Sequence, residues 1–194
     1  VIRGALAILA CAAALAACDP GPRTPFKGID VTGAQLGGEL RLTDHNGKPR
    51  TMADFRGKVV AITFGYTQCP DVCPTTLSDW NKAMKLLGPD AGRVQMLFVT
   101  VDPKRDTPEL LRQYVPAFNP NFLGLYGSEA ATRKVEEDFK VYAQEKPTAP
   151  GQYIMEHDAR TYVFDGNGKV RLVEAPGTAP DAIASDLRLL LNSA

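Results

Sequence analysis

The chain has 194 residues, 44% hydrophobic and 23% charged, enough for one ordinary domain and too few for two comfortable ones. Lys+Arg and Asp+Glu each number 22, so the formal net charge is zero. That balance supplies no basic field to hold nucleic acid, and no polybasic run is present to attract lipid headgroups.

Residues 1–17 differ in character from the rest. Arg3 is followed by small apolar residues from Gly4 to Ala17, with no acid before Asp19. A charged start, a short apolar segment and small residues ahead of the break have the form of a secretory signal. The stretch is shorter than the roughly 20 apolar residues of a spanning helix, and Pro20, Pro22 and Pro25 end it. Leu15-Ala16-Ala17-Cys18 resembles a bacterial lipobox, whose cysteine is lipidated and becomes the new N-terminus. On this reading residues 1–17 are a lipoprotein signal peptide and Cys18 is a lipid anchor. Residues 18–36, rich in Pro and Gly, are then a tether to a domain spanning 37–194. The implied location is the extracytoplasmic, periplasmic face of a bacterial inner membrane, and Asp19 resembles a retention signal for that membrane.

From Gly37 the elements alternate. GELRLTD, the turn HNGK and PRTMADF read as a hairpin with Asn46-Gly47 at its tip. KVVAITFGY (58–66) is a continuous apolar, β-branched run, as expected of a strand covered on both faces. PTTLSDWNKAMKLLG (74–88) predicts an amphipathic helix that starts with Pro74 and stops at Gly88. VQMLFVTVD (94–102) is a second buried strand. TPELLRQYVPAF predicts a helix capped by Thr107 with Pro108 at its first position. FLGLYG is a short strand and SEAATRKVEEDFK a capped helix. Residues 143–157 read as a loop containing Pro and Gly. TYVFDGNGKVRLVEA (161–175) is a hairpin tipped by Asn167-Gly168, and DAIASDLRLLLNS closes the chain as an amphipathic helix. A βαβ core followed by a hairpin and a terminal helix predicts an α/β, thioredoxin-like fold. An N-terminal β-hairpin extension and an inserted strand–helix pair decorate it. A flavodoxin-like sheet is the rival, but parallel strands need crossovers and the late hairpin has none.

Of four cysteines, Cys11 leaves with the signal and Cys18 is the anchor candidate, so Cys69 and Cys73 remain in the domain. An exported pair at this spacing could be a disulfide, a redox centre or a metal site. GYTQCPDVCPTTL directly follows the first buried strand, and sites in such sheets gather beyond the carboxyl ends of parallel strands. Cys73 falls near a helix start, where the helix dipole lowers a thiol pKa. His157 precedes the strand at 161, which runs antiparallel to the first two in a thioredoxin-like sheet. Its beginning then sits at their carboxyl ends, and His157 arrives beside the cysteines. Two thiolates and an imidazole are a soft, low-coordinate set that suits copper, whereas a closed zinc site wants a fourth ligand. His45, in the turn DHNG, reads as solvated. Asp71 and Asp102 read as turn and cap residues that could orient the ligands from behind. Met52, Met84, Met96 and Met155 are scattered and read as core or surface.

GYTQCPDVCPTTL, VTVDPKRDTPELL and the pattern from Tyr153 to His157 ahead of a strand together resemble the Sco/SenC family, over the whole domain from about Gly37. The resemblance implies one copper ion per chain, Cu(I) or Cu(II), held by Cys69, Cys73 and His157. It also implies an upstream copper donor and a role at the dinuclear copper centre of cytochrome c oxidase subunit II, as a metallochaperone or as a reductant of that centre's cysteines. One departure is Glu156-His157-Asp158, where the family often has Asp, His and Ser. If the chain is instead an enzyme, it is a thiol-disulfide reductase with Cys69 attacking and Cys73 resolving. The C-x-x-x-C spacing and the absence of a proline just before Thr161 count against a general reductase. A peroxidase is a third reading, since peroxiredoxin-like folds also place a threonine shortly before a reactive cysteine.

Overall fold

The computed structural model of the chain describes residues 25–192; the signal segment, Cys11 and Cys18 lie outside the described residues. In chain order the elements are β1 (Ile29–Asp30), β2 (Leu42–Asp44), β3 (Pro49–Arg50), β4 (Val59–Gly65), α1 (Val72–Leu87), β5 (Val94–Thr100) and α2 (Pro108–Phe118). They continue with β6 (Leu123–Tyr126), α3 (Glu129–Phe139), β7 (Ala143–Ala149), β8 (Gln152–His157), β9 (Thr161–Phe164), β10 (Val170–Glu174) and α4 (Pro180–Asn192).

Eight strands form one sheet in the order β1-β10-β9-β4-β5-β6-β2-β3. β4 is buried along its whole length and pairs in parallel with β5, Gly65 opposite Thr100, so both carboxyl ends finish at one edge. β9 runs antiparallel to β4 with Thr161 opposite Thr63, which brings the start of β9 to that same edge. Both placements are those expected of the α/β, thioredoxin-like arrangement. β6 and α3 are the inserted pair, and β2–β3 extends the sheet by pairing antiparallel with β6.

The even positions of β4 and β9 explain one layer. Phe64, Tyr162 and Phe164 surround Phe139 of α3 with ring centroids 5.4–5.9 Å from it. The opposite face carries α1, α2 and α4, and there Phe98 of β5 meets Tyr114 of α2 at 5.8 Å. The edge-on packing around Phe139 adds to the area each ring buries. Thr107 caps α2 by accepting the Leu110 N–H at 3.2 Å, and Ser128 caps α3 the same way through Ala131.

Several boundaries differ from the sequence reading. The leading hairpin's second strand is only Pro49–Arg50, after which Met52–Phe55 form a 3₁₀ turn closed by a Thr51–Asp54 capping box. β5 stops at Thr100, and α1 starts at Val72 rather than at Pro74. Within the stretch read as tether, Ile29 and Asp30 already pair with Val173 and Leu172 of β10. Residues 143–157 are not a loop. They form a two-stranded hairpin, Ala143 opposite His157, that joins no other strand. No helix among the described residues is long and apolar enough to cross a membrane.

Candidate metal centre

The cysteine segment is shaped by what surrounds β4's end. Cys69 N–H donates to the Tyr66 carbonyl at 3.2 Å, closing a turn directly after the strand. Asp106, only 2% exposed, pins that turn from below: it accepts the Thr67 N–H, the Thr67 hydroxyl at 2.6 Å and the Thr100 hydroxyl at 2.6 Å. Burial raises the Asp106 pKa despite these donors. Helix α1 then begins at Val72, which puts Cys73 in its first turn with Pro74 after it. Proline is tolerated there because first-turn N–H groups have no intrahelical partner.

His157 ends β8 and reaches the thiols from the other side. Its Nε2 lies 3.5 Å from Cys73 Sγ and its ring stands edge-on to Tyr66, centroids 5.7 Å apart. Its Nδ1 is 2.9 Å from the Asp158 carbonyl. A carbonyl can only accept, so Nδ1 carries a proton and Nε2 is the nitrogen aimed at the sulfurs. Cys69 Sγ, Cys73 Sγ and the imidazole offer three ligand atoms within 4.8 Å of one another, and they are the one such group among the described residues. Both cysteines are free thiols, buried but not sealed, and His157 is half-buried.

The electrostatics separate the two sulfurs. The Cys73 thiol donates to Cys69, and His157 and the backbone of Asp71 and Cys73 add to it, holding Cys69 far below the usual thiol range at about 3 against the pull of burial. The same sulfur–sulfur hydrogen bond, with burial, pushes Cys73 up. Burial opposes a charged His157, but Cys69 and the Asp158 carbonyl outweigh it and the pKa rises. The surroundings thus favour the thiolate at Cys69 and the thiol at Cys73, and a soft cation that takes both sulfurs must displace the Cys73 proton.

The other residues singled out from sequence take varied places. Asp71 is the residue before α1; its side chain makes no capping bond, and its backbone serves Cys69. Asp102 is buried, yet it touches none of the three donors: it pairs with Arg105 and accepts the Tyr153 hydroxyl at 2.9 Å. His45 is not solvated. It is 3% exposed, donates its backbone N–H to the Gly124 carbonyl at 2.9 Å and accepts the Gly124 N–H on Nδ1 at 3.0 Å, and burial lowers its pKa. His45 is the first residue of the turn after β2, and these two bonds fold its ring in against β6 rather than out to solvent. Met84 and Met96 are core, and Met52 and Met155 pack on its margin. In Glu156-His157-Asp158 the flanking acids turn away, Glu156 to Lys146 and Asp158 to Arg160. Sequence reasoning gave no role to Asp106, Tyr66 and Arg105. The only signals were their places beside the strand ends in GYTQC and DPKRDTP.

Comparison with known proteins agrees with this geometry. The SCO1/SenC family profile matches residues 30–192. An SCO2-like protein of Rickettsia felis is 36% identical over 153 residues, 76% of this chain and 75% of the relative. The copper-bound structure of ScoI from Bradyrhizobium japonicum superimposes with a TM-score of 0.76 at 40% identity, covering 80% of this chain and 99% of that one. A SCO1/SenC family lipoprotein from Bacillus anthracis gives a TM-score of 0.69 at 27% identity, covering 83% and 96%.

Proposed function

The chain belongs to the SCO1/SenC family, and from that premise we propose that it is a copper metallochaperone that holds one copper ion with Cys69, Cys73 and His157. The observation that carries the reading is the convergence of two free thiols and one imidazole within 4.8 Å. Sulfur and imidazole together suit copper, and a third ligand that sits half-buried on a separate hairpin leaves a side open to an acceptor's ligands. The copper-bound relative from Bradyrhizobium japonicum supports the choice of metal.

We take the acceptor to be the dinuclear copper centre of cytochrome c oxidase subunit II or a similar copper protein, with a separate upstream donor. We take Cys18 to be the lipidated residue that holds the domain at the periplasmic face of the membrane; the Bacillus anthracis relative, itself a lipoprotein, supports that reading. Loss of the lipid mass in Cys18→Ser, read by mass spectrometry of the membrane fraction, is the expected result.

The test is a copper titration of the reduced, metal-free chain beside Cys69→Ala, Cys73→Ala and His157→Ala. One copper per chain, held more weakly by each variant, is the expected outcome. A His157→Ala chain with undiminished Cu(I) and Cu(II) affinity would remove the imidazole from the site. A second reading starts from the same two free, neighbouring thiols, whose surroundings pull their acidities in opposite directions. Cys69 as thiolate and Cys73 as protonated thiol are the attacking and resolving members of a reductase. In that reaction the Cys69 thiolate and the Cys73 thiol give two electrons and one proton to a partner disulfide, which leaves as one thiol and one thiolate, and become the Cys69–Cys73 disulfide. A chain that binds no copper tightly but reduces a partner's disulfide stoichiometrically would reverse the order of the two readings.

A further inference from the structure

We propose that Arg105 is a positioning residue of the metal centre: together with Asp102 it clamps β8 through Tyr153 and so holds His157 over the two thiols. The purpose of the clamp rests on the copper reading above; its geometry does not. The hairpin β7–β8 pairs only with itself, and among the described residues no backbone–backbone bond joins it to the eight-stranded sheet. A cleft of about 460 Å³, lined by Lys104, Arg133, Gln144 and Met155 among others, lies between the hairpin and α3. Sheet pairing therefore does not fix where β8 lies, and on the cleft side the hairpin meets the core only at its margin, through Ala143 and Met155.

Side chains do it instead. Arg105 Nη1 donates to the Tyr153 carbonyl at 2.9 Å, and the guanidinium carbon lies 3.7 Å from the centre of the Tyr153 ring. Arg105 Nε pairs with one oxygen of Asp102, whose other oxygen accepts the Tyr153 hydroxyl. Tyr153 is thus held by its backbone, its ring face and its hydroxyl at once. Successive side chains of a strand alternate between faces, so Tyr153, Met155 and His157 share the inward one. The Met155 backbone amide bonds to the Tyr66 hydroxyl, and Tyr66 in turn lies beside Arg105 and edge-on to His157. Tyr153 is one fixed point of a short span; the other is β9, which starts at Thr161, and the imidazole lies between the two.

The neighbouring Lys104–Glu145 pair also links this loop to the hairpin, but its side chains are 47% and 42% exposed, against 22% and 1% for Arg105–Asp102. Exposed pairs contribute little, so Lys104→Ala is the control. Arg105→Lys keeps a cation near Asp102 but loses the forked donor and the stacked plane. Tyr153→Phe removes only the hydroxyl.

The test is amide hydrogen exchange of the metal-free chain, followed by paramagnetic resonance of the Cu(II)-loaded chain. In Arg105→Lys the Met155 amide is expected to exchange about tenfold faster or more, with Ile62 and Leu97 of the central strands unchanged; Tyr153→Phe should show about a threefold effect and Lys104→Ala none. The nitrogen signature of His157 should weaken in the same order. Unchanged Met155 exchange and an unchanged nitrogen signature in Arg105→Lys would overturn the proposal. If that variant fails to fold, the same two readouts on Tyr153→Phe decide it by the same rule. If the wild-type chain binds no copper, the copper reading fails while Met155 exchange still settles the clamp.

Discussion

Gly65 closes β4 immediately beneath the thiols, and a Cβ at this position would lie 2.7 Å from Cys73 Sγ and 2.8 Å from the Phe98 ring. Both neighbours are buried, so one of them must move. Gly65→Ala is expected to cost about 1–3 kcal/mol of stability, as overpacking does. Displacement of Cys73 that costs the site about 1.4 kcal/mol also weakens its hold on copper about tenfold. Urea midpoints and copper competition on the same sample measure both, and an unaffected site with lowered stability would mean that Phe98 gave way instead. At this scale the three donors were legible because each declares itself by chemistry and by adjacency to a strand end. His45 and Asp106 were not. What each does depends on a partner distant in sequence, the Gly124 amide for one and the Thr67 turn for the other. Nothing near either residue in sequence names that partner.

Phe139 ends α3 with its ring among Phe64, Tyr162 and Phe164, and it is fully buried. Removing it leaves a cavity in the layer that binds α3 to β4 and β9, so Phe139→Ala should destabilise the fold by about 3–5 kcal/mol in denaturant unfolding. A loss below about 1 kcal/mol would show that α3 is not anchored by this ring. α2 and α3 were legible from their caps and apolar spacing, β4 from a continuous apolar, β-branched run and β5 from a second, largely apolar stretch. The β7–β8 hairpin was missed for a physical reason. Pro147, Pro150 and Gly151 are residues that interrupt central strands, and β7 is largely exposed, so it lacks a buried apolar stripe. A two-stranded element outside the main sheet can carry those residues because β7 has only one hydrogen-bonded neighbour.

The whole molecule carries a pH dependence remote from the thiols. Glu174, at the end of β10, is 2% exposed, and one of its oxygens has no hydrogen-bond partner. Burial, followed by the charge of Asp186 on α4, raises it to about 7 from an ordinary 4.5. Between those values the unfolded chain has released a proton that the folded chain keeps, so stability is greatest below about 4.5 with respect to this group and falls as pH rises through 7. Glu136 is raised to about 7 by burial and acts in the same direction, so the comparison that isolates Glu174 is with Glu174→Gln. That variant should match the wild type within about 0.5 kcal/mol at pH 5 and exceed it by on the order of 1–2 kcal/mol at pH 8. Equal urea midpoints at pH 8 would show that Glu174 is ionised without penalty. Asp186 meanwhile accepts the backbone N–H groups of Lys27 and Gly28 at 2.7–2.9 Å, which fastens the segment just before β1. Since Ile29 lies opposite Val173, the chain enters the sheet at the edge where β10 ends and β9 begins, the edge that bears the thiols. Three strand spacings, about 14 Å, separate that entrance from β4. Residues 18–26, even fully drawn out, reach no more than about 30 Å. With the lipid at Cys18 as proposed, the leash and the cargo share one pole of the molecule. The copper would then be confined to a thin layer above the bilayer, and its acceptor would be met by sideways travel along the membrane rather than by a search through the periplasmic volume.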